Sequence, residues 1–151
     1  MTATFAQFQA EKDARNTLQL NVIKWCYMLT DALRQNYIDC SIKMHESSLK
    51  RLEGNTETGI AYHKACIADL KNGNCGYEFY PETGRKYHKI IMSANGRRSV
   101  HCFIDKKTGE VYKSASWKAP AKGVRYDLRL IKDREYLFEN ADWSGGYLYM
   151  R

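Results

Sequence analysis

"KYHKIIMSANGRRSVHCFID", residues 86–105, decides how the second half of this chain is read. Asn95-Gly96 separates two runs rich in strand formers, and both residues tolerate the positive φ of a two-residue hairpin turn. The reading is a hairpin with strands over 86–93 and 98–105. The turn sets a register, with Ala94 opposite Arg97, Met92 opposite Ser99 and Ile90 opposite His101. Side chains alternate across a strand. One face then carries Ile91, Val100, Cys102 and Ile104, and is assigned to the core. The other carries His88, Ile90, Met92, His101 and Phe103, aromatic with polar groups mixed in.

More strands flank the hairpin. Residues 77–81 (YEFYP) alternate and end in a turn at Glu82-Thr83-Gly84. Asp105 to Gly109 forms a turn whose glycine suits the left-handed residue of a bulged type I turn. Glu110–Lys113 closes a meander, with Val111 on the core face and Tyr112 on the aromatic one. Upstream, apolar residues recur at helical spacing from Phe5 to Arg34, with Asn16 a place for a break. Residues 44–52 read as a short helix stopped by Gly54, and 58–71 as another ended by Asn72-Gly73. Near the end, Asp133–Ala141 reads as a helix capped by Asp133. Tyr147–Tyr149 reads as a last strand. The expected fold is α+β: N-terminal helices packed on a C-terminal antiparallel meander of three to five strands, followed by a short helix.

At 151 residues this is a single domain, 1–151, with a mainly helical half (1–75) and a mainly β half (76–151). No apolar run approaches the ~20 residues of a membrane span, and no signal peptide is seen at the N-terminus. Five cysteines, an odd number without a Cys-x-x-Cys pair, argue against a disulfide framework and a structural zinc site. Free thiols in a reducing compartment are expected.

Charge is uneven. Between Glu82 and Arg134 fourteen Lys/Arg face five Asp/Glu, a net +9, while the remainder holds ten against twelve, −2, which together give the chain's +7. A basic half of this kind fits a polyanionic partner. The stretch "SASWKAPAKGVRYDLR", residues 114–129, concentrates it. Pro120 forbids a helix through its position and extends Ala119. Trp117 is the expected anchor of a basic loop, buried while the cations face out. Lys118, Lys122 and Arg125 are the candidate phosphate ligands, helped by backbone N–H groups around Lys122-Gly123. Lys113 and Arg129 lie in or beside the same stretch, while Arg97, Arg98 and Lys113 ring the aromatic sheet face. His101, Phe103 and Tyr112 offer a stacking platform for bases if the aromatic face is open.

Catalytic patterns are thin. His101 and Cys102 are strand neighbours expected on opposite faces, so they make no nucleophile–base pair. His88 and His101 are the one candidate acid–base pair, for a nuclease. No Walker loop, deaminase motif or metal-ligand spacing is present.

The run His101-Cys102-Phe103-Ile104-Asp105, then Lys107 to Lys113, then Trp117-Lys118-Ala119-Pro120-Ala121-Lys122-Gly123 resembles a segment of small proteins of tailed bacteriophages, marine and T7-like phages among them. The likeness lies mainly in residues 99–128, and Ala141–Tyr149 fits it. It implies a phage origin and the cytoplasm of an infected bacterium; no activity accompanies it. The expectation is a non-enzymatic phage protein that binds nucleic acid, single strands slightly favoured, or a nucleotide-rich assembly, without cofactor or metal. The alternative is an inhibitor or adaptor docking on an acidic surface of a host protein or virion component. The N-terminal helices leave room for a homo-oligomer.

Overall fold

Helix α1 runs from Phe5 to Leu52 without interruption in the computed structural model, which describes residues 4–52 and 57–149. Its start is a capping box: the Thr4 N–H donates to Gln7 Oε1 at 2.9 Å, and the Gln7 N–H donates to Thr4 Oγ1 at 3.2 Å. Its interior holds no proline or glycine. Asn16 alone does not end a helix, because its penalty is a fraction of a kcal/mol against nearly 1 for Gly and ~3 for Pro. The expected break at Asn16 is therefore absent, as is the gap before Met44. Gly54, the expected stop, lies outside the described residues. Helix α2 follows over Glu57–Lys71 and returns along α1.

The sheet is a five-stranded antiparallel meander in sequence order: β1 (Tyr77–Thr83), β2 (Tyr87–Ala94), β3 (Arg97–Asp105), β4 (Glu110–Lys113) and β5 (Tyr126–Asp127). Asn95 (φ 53°) and Gly96 (φ 84°) make the expected two-residue turn, and Met92 does face Ser99. The register then slips. Ile91 pairs with Val100 but Ile90 pairs with Cys102, so His101 is the extra residue of a β-bulge. One inserted residue reverses the faces beyond it. Ile90, Met92, Cys102, Ile104 and Val111 share the helix-facing side, whereas Ile91 and Phe103 point to the outer side. The sequence-based assignment was right for Cys102, Ile104, Val111 and Phe103 and reversed for His88, Ile90, Ile91, Met92 and Val100.

Against the inner face α1 lays Val22, Cys26, Leu29 and Leu33, each fully buried and spaced four, three and four residues apart. Burial of each is worth ~1.5–3 kcal/mol as an upper figure. Helix α3 (Ile131–Asn140) adds Leu137. It starts two residues before Asp133; Leu130 holds the cap position, and the Asp133 carboxylate accepts the Asp127 N–H at 2.9 Å instead. A 3-10 turn spans Gly146–Tyr149, where a strand was expected, and Tyr147 and Leu148 close the core.

Candidate nucleic-acid interface

The segment after β4 owes its irregular look to a tight hairpin. Ser114 bridges to Pro120, the Ala121 N–H donates to the Lys113 carbonyl at 2.8 Å, and Ser116 Oγ accepts the N–H groups of Lys118 and Ala119. The hairpin folds over the outer face of the sheet. There the Trp117 ring lies 5.0 Å from Lys89 Nζ and 5.2 Å from Arg98 Cζ, cation–π contacts that latch the loop. Trp117 keeps 40% of its surface exposed, so it is an anchor held by cations rather than a buried one.

That latch changes the expected platform. Phe103 and Ile91 are fully buried. Phe103 meets the edge of Tyr87 at 5.5 Å between ring centroids, and Lys89 Nζ lies 5.8 Å from its ring. Tyr112 is half-buried and donates to Glu110 Oε2 at 3.2 Å; burial, with Glu110 adding, pushes its hydroxyl up to about 12. His101 is on the other side altogether. The bulge turns it inward, where Nε2 meets the Tyr147 hydroxyl at 2.8 Å and Phe79 lies edge-on. Burial pushes its pKa down to about 4, against a weaker opposing pull from Asp142. Phe103, Tyr112 and His101 therefore do not form one open surface.

The cations also divide. Arg125 is structural: Nε donates to the Leu148 carbonyl at 2.7 Å, and Nη1 to the carbonyls of Lys122 and Gly123 at 3.3 and 3.2 Å. The carbonyls of Lys122 and Gly123 thus serve Arg125. Arg129 is clamped on Asp127 through Nε and Nη2 at 3.0 and 2.8 Å, with Glu110 at 3.7 Å; its hydrogen bond to Asp127 raises the guanidinium and lowers the carboxyl. Arg98 pairs with Glu82 and donates to the Tyr80 hydroxyl at 2.8 Å. Lys113 Nζ sits 4.2 Å from the Tyr149 ring. Lys118, Lys122 and Arg97 are exposed and make no side-chain hydrogen bond or ion pair among the described residues.

A second cationic cluster stands at the far end of the sheet. In an antiparallel meander alternate turns share an end, so the β1–β2 and β3–β4 turns are neighbours, joined by the Lys106 N–H to the Lys86 carbonyl at 3.0 Å. Arg85, Lys86, Lys106 and Lys107 meet there with Gln19 of α1 around a 310 Å³ cavity. Asp105 lines it too, and its carboxylate is occupied by the N–H groups of Lys107 and Thr108. The charges were countable in the sequence; pairing the two turns by the meander rule would have located them.

The expected pair, His88 and His101, is not brought together. His88 pairs with Ile104 and meets Thr83 Oγ1 at 2.8 Å, while His101 lies beyond, at the bulge, on Tyr147. Between α1 and α2, His45 and His63 touch through their Nδ1 atoms at 2.8 Å. No group of three or more metal-ligating side chains occurs among the described residues. None of the described helices is long and apolar enough to cross a membrane.

Fold and surface together define an α+β protein whose five-stranded meander carries an inner core face and an outer face crossed by cations. The chain belongs to a family of unknown function, DUF7717, whose pattern it matches over residues 5–150. No curated protein and no solved structure matches it.

Proposed function

We propose that the chain is a non-enzymatic binder of nucleic acid, or of a nucleotide-rich assembly, and that the outer face of its sheet is the contact surface. One observation carries this reading. Of the fourteen Lys and Arg between Glu82 and Arg134, only Arg98 and Arg129 are in ion pairs with described residues. Most cations of this half therefore have no acidic partner among the described residues: Arg85, Lys86, Lys106 and Lys107 gather at one end of the sheet, and Lys118 and Lys122 stand exposed in the segment that folds over its outer face, whereas Arg97 follows the register of Ala94 on the other side. Unneutralised cations of this density release counterions from a polyanion on binding. The resemblance to phage proteins supplies the proposed setting, the cytoplasm of an infected bacterium.

Sequence preference has little to rest on, since phosphate contacts position without reading bases. The slight preference for single strands moves from Phe103 to the exposed part of Trp117, which can stack one base. The test is a salt titration of binding to a fluorescent single strand and its duplex. Lys118→Ala with Lys122→Ala, and separately Arg85→Ala with Lys107→Ala, should each lower the duplex salt slope by about 0.9 for every phosphate that is no longer neutralised. Undetectable binding at low salt by the unaltered protein would end the proposal.

The adaptor reading keeps one observation of its own. Leu130 and Ile131 stand exposed side by side at the start of α3, between Arg129 and Lys132. Apolar pairs inside a basic rim suit an acidic protein surface better than a phosphate backbone. A stoichiometric partner that survives nuclease treatment and no longer binds Leu130→Asp would favour it.

A further inference from the structure

The first turns of α1 pack against no other element among the described residues. Every residue from Thr4 to Thr17 is exposed, including Phe5 at 79% and Phe8 at 51%. Leu20 (68%) and Ile23 (41%) follow on the same helix. Yet the capping box at Thr4 and Gln7 specifies where this arm begins. A helix end fixed by sequence, with large apolar side chains held out to solvent, needs an occupant for its apolar face.

The face has an internal symmetry. At 100° per residue, Phe5 and Ile23 point in one direction, and Phe8 and Leu20 lie about 60° to either side of it. Gln9, Lys12, Asn16 and Gln19 fill the angles between. That direction is turned about 60–120° from Val22, Cys26, Leu29 and Leu33, which hold the sheet. Further along, α1 meets α2: Arg34 reaches the Gly73 carbonyl and His45 meets His63. The side chains of Phe5, Phe8, Leu20 and Ile23 lie ahead of these contacts and stay exposed, although Leu18, Gln19 and Val22 on the neighbouring face already meet the sheet.

We propose that this face pairs with the same face of a second copy, antiparallel, about a two-fold axis at the level of Ala14. An isologous contact requires that residue i meet j while j meets i. Here Phe5 and Phe8 of one copy fall at the level of Ile23 and Leu20 of the other, and the same apolar group recurs at the opposite end. The polar residues meet in the middle and fix the register, as a buried Asn or Lys does in a helical pair. Charge permits it: the arm holds Glu11, Lys12, Asp13 and Arg15, two of each sign, whereas the basic half would repel its twin. Phe5 to Ile23 spans about 27 Å, and an antiparallel pair of that length reaches the lower end of specific interfaces, ~1,200 Å² in total.

The test is the solution mass of the full chain by analytical ultracentrifugation at high micromolar concentration, expected at twice the 17.5 kDa of one chain. Phe5→Lys and Ile23→Glu should each give a monomer. Combined in one chain they place Lys opposite Glu twice and should restore the dimer. Far-UV circular dichroism on each variant separates dissociation from unfolding, since both positions are exposed. A monomeric parent protein, single variants that remain dimeric, or a double variant that stays monomeric would each overturn the proposal.

Discussion

Arg125 separates a structural cation from a binding one. Its three hydrogen bonds tie the turn at Lys122-Gly123 to the carbonyl of Leu148, a residue 2% exposed at the end of the core. Arg125→Met keeps most of the stem and removes the donors. A hydrogen bond to a charged group is worth ~1.5–3 kcal/mol, and the buried Leu148 carbonyl would be left without its partner. The longer bonds at 3.2 and 3.3 Å come from a partly solvated nitrogen and add little. The expected destabilisation is about 2 kcal/mol, or about 4–8 °C in Tm for a chain of this size. Lys118→Ala and Lys122→Ala should stay within ~0.5 kcal/mol of the parent, because neither side chain holds a hydrogen bond or an ion pair among the described residues. Urea unfolding followed by near-UV circular dichroism reads the difference, and oligonucleotide titration reads binding. If Arg125→Met is as stable as the parent but loses affinity and salt slope as Lys118→Ala does, the assignment of Arg125 to the fold is wrong.

Acid should weaken the fold through His101. Its folded pKa of about 4 lies below the ordinary 6.5, so the unfolded chain takes up a proton that the native state refuses. Stability is therefore full above about pH 6.5 and falls toward pH 4 by up to roughly 3 kcal/mol, with buried His88 shifted in the same direction; His101→Gln should flatten the profile, and an unchanged slope would count against it. Gly109→Ala should cost about 2 kcal/mol or more, since φ is +74° and a Cβ would stand 3.3 Å from both Leu128 and Val22, whereas Gly96→Ala, at φ +84° in open space, should lose only the ~1 kcal/mol backbone penalty. Thermal melts of the two compare them directly. Iodoacetamide should label exposed Cys40 in the native protein and spare Cys26, whose thiol burial pushes up to about 12, and Cys102, raised further, until the chain unfolds; peptide mapping by mass spectrometry checks it.

Turn chemistry carried most of the fold. Asn95-Gly96 and Gly109 demanded positive φ and received it, and the meander followed from the two turns. What failed has one physical source in each case. The bulge at His101 leaves no trace in a pattern of alternation, because Ile90 and Ile91 are both apolar and fit either face. The continuity of α1 rests on Tyr37, Ile38 and Ile42, which carry the helical spacing of Leu33 on to Met44 amid polar residues; part of that run packs on α2 rather than on the sheet. For the surface, charge count was legible and side-chain commitment was not. Lys118 and Arg125 look alike in a sequence, and only the nearness of the Leu148 carbonyl distinguishes them.

Pairing through α1 and binding through the sheet constrain each other. Two copies of a +9 half repel at short range, but screening at physiological salt confines that repulsion to about 8 Å. Antiparallel arms send the two sheets toward opposite ends of the joint while the neutral arms touch. A polyanion long enough to reach both sheets would then meet two sites at once, and the second engagement would benefit from effective concentration rather than from new residues. A short oligonucleotide that fits one sheet should bind Phe5→Lys and the parent alike. A long one should bind the parent more tightly and lose that advantage in Phe5→Lys. Equal weakening on short and long strands would mean that the arm touches nucleic acid itself, and the division between the two halves of the chain would have to be redrawn.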